Sequence, residues 1–159
     1  VGIVLGGGGA PFASADMKAW LPESLGGAAR ESFEVQSGAA MGLAGSTAQA
    51  KYGKGEQRLA LSIIDMGGTG GLVGLAGWAN MTVDKETQDG VEKVYKQGQR
   101  TVREQYRKDG SQAELSVVLA NGLIVELEAR NASIDQAKAV LGSLDLNKLE
   151  SAQRPAKAP

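Results

Sequence analysis

Residues 91–128 hold four runs that alternate apolar and polar side chains, separated by the turn signals Gly98-Gln99, Asp109-Gly110 and Asn121-Gly122. Loop length fixes the register of an antiparallel hairpin, and a slip of one residue sends every side chain to the other face. This stretch constrains the fold more than any other. A two-residue loop with Gly98 first, a type II′ turn, sets Val91 opposite Tyr106, Lys93 opposite Glu104 and Tyr95 opposite Val102. A two-residue Asp109-Gly110 loop of type I′ sets Tyr106 opposite Ala113, Glu104 opposite Leu115 and Val102 opposite Val117. Opposite residues share a face, so one apolar face crosses three strands with Glu104 as its exception. Lys93 is the cross-strand neighbour expected to meet that charge.

The third turn discriminates between two loops. Reading Asn121-Gly122 as a two-residue loop puts Glu126 and Glu128 on the face of Leu115 and Val117. Burying unpaired carboxylates costs several kcal/mol each. A three-residue loop, Ala120-Asn121-Gly122, instead pairs Leu119 with Leu123, Val117 with Val125 and Leu115 with Leu127. It requires Gly122 in the left-handed region, as in a G1 bulge.

The rest of the chain fits around this meander. Met17, Trp20 and Leu21 form a helical stripe over residues 14–21, with Ser14 as cap and Pro22 as stop. Strand patterns follow over residues 30–36, 43–52 and 57–64, the last two joined by Gly53-Lys54-Gly55. Residues 67–78 are Gly-rich and apolar and read as a loop leading into a short buried helix, which places Trp20 and Trp78 inside. Ser133-Ile134-Asp135-Gln136 is a capping box opening a helix to Leu141, closed by Gly142. The expected fold is α+β: an antiparallel sheet of about six to seven strands, with a C-terminal four-stranded meander and two or three flanking helices. Residues 1–13 read as a Gly-rich linker or anchor remnant, 14–150 as one domain and 151–159 as a flexible tail.

Composition narrows the chemistry. The 159 residues contain no His and no Cys, which removes the commonest general base, the thiolate nucleophile and the commonest zinc ligands. No metal site and no cofactor are expected. A formal charge of −1 gives no net field to gather nucleic acid. Arg100, Arg103, Arg107 and Lys108 share a strand and turn, but Tyr106 points to the apolar face and acids lie beside the bases, so cross-strand pairing is expected there. Glu126 and Glu128 lie on one strand face about 7 Å apart. With no cleft evident to perturb them, they read as a solvated face, and no catalytic residue is assigned.

The candidate ligand-binding residues are Asp65, Gly67, Gly68 and Trp78, where an apolar strand ends in an acid before a Gly-rich segment. The competing role for Asp65 is structural, as a cap accepting backbone N–H groups of the next helix. The glycines of residues 6–9 fit neither a dinucleotide fingerprint, since Pro11 stands where the third glycine belongs, nor a P-loop, since Gly-Lys-Ser/Thr is missing.

Two resemblances suggest functions. Val1-Gly2-Ile3-Val4-Leu5-Gly6-Gly7-Gly8-Gly9-Ala10 is similar to the strand and glycine-rich oxyanion loop opening patatin-like phospholipases, which implies a hydrolase. No serine here stands in the Gly-x-Ser-x-Gly turn that such an enzyme needs. Leu21-Pro22-Glu23-Ser24-Leu25-Gly26-Gly27, Ala48-Gln49-Ala50-Lys51-Tyr52 and Ile64-Asp65-Met66-Gly67-Gly68 resemble uncharacterised bacterial envelope and lipoprotein domains. The order of elements is similar to the PsbP/Mog1-like arrangement. That resemblance implies a non-catalytic module in the periplasm or cell envelope, with a membrane tether upstream of Val1, binding a protein partner or a small ligand. The alternatives are the hydrolase, a purely structural envelope-assembly domain, and a cytoplasmic location. Because His and Cys are absent, the melting temperature should be unchanged by a strong chelator. A large drop on chelation, measured by differential scanning fluorimetry, would contradict this.

Overall fold

The computed structural model describes residues 12, 14–37, 46–65, 83–98, 100–119 and 122–152. Along the chain, α1 (Ser14–Ala19) precedes β1 (Ser24–Leu25), β2 (Ala28–Ser37), β3 (Ser46–Lys54) and β4 (Gln57–Asp65). Then come β5 (Val83–Glu86), β6 (Gly90–Gln97), β7 (Arg100–Arg107), β8 (Gln112–Val118) and β9 (Leu123–Arg130), followed by α2 (Ile134–Gly142) and α3 (Leu146–Ser151). The strands form one antiparallel sheet in the order β1-β2-β3-β4-β9-β8-β7-β6-β5. Nine strands exceed the six or seven expected. The two extra ones, β1 and β5, are two and four residues long and carry no apolar alternation to announce them.

The meander has the registers that its turns require. Val91 faces Tyr106, Lys93 faces Glu104 and Tyr95 faces Val102. Glu104 faces Leu115 and Val102 faces Val117. At the third turn Val117 faces Val125 and Leu115 faces Leu127. The Leu119 N–H donates to the Leu123 carbonyl at 2.8 Å, and Gly122 has φ +88°. The bulged loop thus keeps Glu126 and Glu128 off the apolar face.

Two turns differ from expectation. Asn131 is the one non-glycine residue of positive φ among those described, so Asp109 does not adopt the type I′ geometry. The strands stop at Arg107 and resume at Gln112, and the Asp109 carboxylate closes the wider loop by accepting the Ser111 N–H at 2.9 Å and its hydroxyl at 2.5 Å. Opening both sides of a hairpin by one residue leaves its register unchanged, which is why the pairing survives. Between β3 and β4, Lys54 faces Gln57, so the loop is Gly55-Glu56 and Gly53 and Lys54 belong to the strand.

All three described helices cover the same face. Met17, Leu21, Ala137, Leu141 and Leu149 join one cluster with Ala50, Tyr52, Leu61, Ile63, Leu115, Val117, Val125 and Leu127. Ser14 lies within the first turn of α1 rather than before it, and Trp20 is partly buried, meeting buried Phe12 edge-on at 4.9 Å. The capping box of α2 is present, with the Ser133 hydroxyl accepting from Gln136 N–H and the Ser133 N–H donating to the Gln136 side chain. Gly142 is the last helical residue, with Ser143 as an ordinary right-handed cap. Helix α3 occupies what reads in sequence as the approach to a tail. Asp145 caps it, and Arg100 holds it from β7 through Glu150 at 3.0 Å and Asn147 at 2.8 Å.

Glu104 remains the exception on the apolar face, 4% exposed, but its ion pair is made by Lys138 of α2 at 2.9 Å rather than by Lys93. The register brings Lys93 alongside, where it stays exposed; the helix brings a lysine from above. The Tyr95 hydroxyl also bonds Glu104, and burial together with that acid pushes Tyr95 up to about 12. Gly26 shows how closely α2 approaches β1: a β-carbon there would lie 2.6 Å from Val140 Cγ2.

The bulged third turn makes a quantitative demand. At φ +88° an alanine is strained, so Gly122→Ala should cost on the order of 1 kcal/mol or more in urea unfolding. A neutral substitution would remove the basis for this loop.

Candidate functional site

Of the four residues singled out for binding, Gly67, Gly68 and Trp78 lie outside the described residues. Asp65 ends β4 with no exposed surface, and its carboxylate accepts the Phe12 N–H at 2.7 Å. It serves the backbone N–H of a residue 53 positions upstream; its expected role as a cap for the segment that follows falls on residues outside those described. A buried carboxylate bound to main chain is an anchor, and it offers a ligand no surface. Three of the four basic residues of β7 and its following turn are likewise engaged. Arg100 pairs with Glu150, Arg103 with Glu92 at 3.2 Å and Lys108 with Glu86 at 3.3 Å, while Tyr106 packs against the core.

The surface that gathers polar groups is the sheet face that α1, α2 and α3 leave uncovered. Register places Lys85, Glu92, Gln105, Glu114, Glu128, Ala60, Lys51 and Ser32 in one row, one residue per strand from β5 to β2. That row spans seven inter-strand steps, about 34 Å at ordinary spacing. Two grooves lie along it. One, of about 430 Å³, runs from Lys85 to Glu114; the other, of about 520 Å³, from Glu128 to Ser32. Glu114 of β8 and Glu128 of β9 face each other across the pair, so the grooves meet end to end as one shallow trough. Only one end of this face is dry, where Val94, Thr101, Val118 and Ile124 are buried.

The middle of the trough breaks a local rule. Like charges directly opposite each other on a sheet are destabilising. Here Glu114 faces Glu128, and Arg58 faces Arg130 one row away. The relief is along each strand rather than across: Arg130 pairs with Glu128 at 3.5 Å on β9, and Gln112 donates to Glu114 at 3.3 Å on β8. Glu126 is relieved least. Its carboxyl is held above the ordinary carboxylate range, first by partial loss of water and then by the charge of Glu114, with Arg103 pulling the other way. In sequence Glu126 and Glu128 read simply as solvated; the trough that perturbs one of them depends on Glu114, which is close only after β8 and β9 pair.

Among the described residues no group of three potential metal ligands comes together, and no helix is long and apolar enough to cross a membrane. Comparison with protein-family models, with curated proteins and with solved structures finds no match for this chain. The trough can act as a polar cradle: carboxylates along its middle with a lysine towards either end, open along its length among the described residues.

The raised carboxyl of Glu126 has a defined pH signature. A carboxyl whose pKa rises on folding binds its proton more tightly in the folded chain. It therefore favours folding at pH below the ordinary carboxylate value, and that contribution is lost as pH rises through the raised value. Glu126→Gln should raise the melting temperature at pH 7, and the gain should shrink as pH falls below the carboxylate range. Melting curves across pH check this, and a gain equal at every pH would contradict it.

Proposed function

We propose that this chain is a non-catalytic module of the cell envelope, working outside the cytoplasm, that holds a protein partner against its open sheet face. The observation that carries the reading is the continuous trough from Lys85 to Ser32, with like-charge oppositions at its centre. Local rules of stability are broken chiefly where a surface serves another purpose. The trough's length and openness suit an extended polypeptide surface better than a small ligand, which is usually held in an enclosed, largely apolar pocket. The envelope assignment rests on the resemblance of residues 21–27, 48–52 and 64–68 to bacterial envelope and lipoprotein domains. The hydrolase reading lacks a nucleophile, since no serine stands in the Gly-x-Ser-x-Gly turn.

The test uses the full-length natural protein carrying this chain. A photo-crosslinking amino acid at exposed Gln105, in the trough, should trap one defined extracytoplasmic protein in cells. The same probe at Ala139, on the outer side of α2, should not. A phosphatase that is active only outside the cytoplasm should work when fused to the chain. Equal labelling at both positions, no adduct at Gln105, or hydrolysis of chromogenic esters by the purified domain would each overturn the reading.

A further inference from the structure

The two ends of the sheet are defended very unequally. Strand β5 ends one side with four residues, and its Asp84, Lys85 and Glu86 are exposed charges of the kind that discourages further pairing. At the other end β1 pairs only with Ala28 and Ala29 of β2, and one further bond runs from the Arg30 N–H to the Glu23 carbonyl. A bulge between Arg30 and Ser32 follows, and from there β2 continues to Ser37 with β3 on its inner side. Along residues 32–37 the outer backbone edge of β2 therefore has no strand neighbour among the described residues. This segment, Ser-Phe-Glu-Val-Gln-Ser, has no proline and no lysine, and only Glu34 carries charge.

The side chains at this edge indicate what it accepts. Phe33 is 43% exposed, the one large exposed hydrophobic side chain among the described residues. Lys18 Nζ of α1 and Arg30 Cζ each lie 4.8 Å from the centre of its ring. Neither cation forms an ion pair among the described residues. A row of open N–H and C=O groups can be satisfied in alternation only by another extended chain. A residue of that chain opposite Phe33 shares its face and meets both cations; a residue two places away meets Val35, which is partly buried.

We infer that the outer edge of β2 is a strand-addition site for an extended peptide bearing an acidic side chain opposite Phe33 and an apolar one two residues away. A second copy of the chain fits less well. A two-fold pairing that stacks Phe33 on Phe33 brings two lysines and two arginines together, and one centred on Glu34 opposes two carboxylates. The site meets the trough at Ser32 alone and does not depend on it.

The test titrates the domain with a capped heptapeptide, Thr-Val-Thr-Glu-Thr-Val-Thr, whose symmetry allows either strand direction. Amide exchange should slow within residues 32–37 and not along β5. Replacing the central glutamate of the probe by lysine should weaken binding about tenfold. Phe33→Ser should weaken both probes, and Lys18→Glu, at an exposed helix position, should reverse the preference between them. Absence of protection at millimolar probe, equal affinity for the two probes, or an unchanged preference in Lys18→Glu would overturn the inference. So would a concentration-dependent dimer of the chain that Phe33→Ser abolishes, since the edge would then belong to a second copy.

Discussion

The pairing of β4 with β9 holds the molecule together. Every other strand pair joins neighbours in sequence, and this one joins residues 58–65 to residues 123–130. It sets Leu59 against Ala129, Leu61 against Leu127 and Ile63 against Val125, all essentially without exposed surface. Without it there are two curled meanders, each with half an apolar face. With it the faces merge into one, on which α1 packs over β2 and β3 and α2 over β8 and β9. The entropic cost of closing so long a loop grows only logarithmically with its length, so a few buried pairs outweigh it.

Both ends of that seam are fastened by polar groups. At one end Asp65, opposite Leu123, receives the Phe12 N–H and so draws Phe12 and Trp20 over the sheet. At the other, Asn131 leaves β9 at φ 57° and reaches two separate turns. Its N–H donates to the Ser111 carbonyl at 2.8 Å and its side-chain amide to the Glu56 carbonyl at 2.9 Å. Asparagine tolerates the left-handed region better than other side chains and also carries a donor, so one residue ties the β3–β4 hairpin to the β7–β8 loop.

What was legible in the sequence follows from where information about contacts is stored. Hairpin registers are local, and the cost of burying Glu126 and Glu128 was enough to reject the shorter third loop. The capping box of α2 is equally local. The seam is not: no turn chemistry links β4 to β9, and the pattern of either strand would tolerate another neighbour. Strands β1 and β5 escaped because, at two and four residues, they are too short to show an alternating pattern, although the Asp145 cap with Leu146 and Leu149 three apart could have revealed α3. The partner of Glu104 shows the same boundary. Register correctly placed Lys93 beside it, but Lys138 arrives through the packing of a helix 34 residues away, which periodicity cannot position. The trough was invisible for a related reason, since its eight residues come from eight strands and none departs from a solvated pattern on its own.

The resulting sheet is asymmetric in every direction that matters for contact. One face is sealed by helices, and its buried charge, Glu104, is neutralised from above. The other face is left uncovered by the described helices, apart from its dry end at Val94, Thr101, Val118 and Ile124, and carries charges whose mutual repulsion is only partly relieved. One edge ends in exposed charges, whereas the other stops its short cover strand at a bulge and then continues with an unshielded aromatic. Stability alone would favour the opposite choices at each place: opposite charges across β8 and β9, and a lysine or proline in residues 32–37. The sequence keeps its strongest local consistency for the helix-covered face and relaxes it on the open face and at the β2 edge. Those two surfaces are where contact with other polypeptides would restore what the isolated chain leaves unpaired.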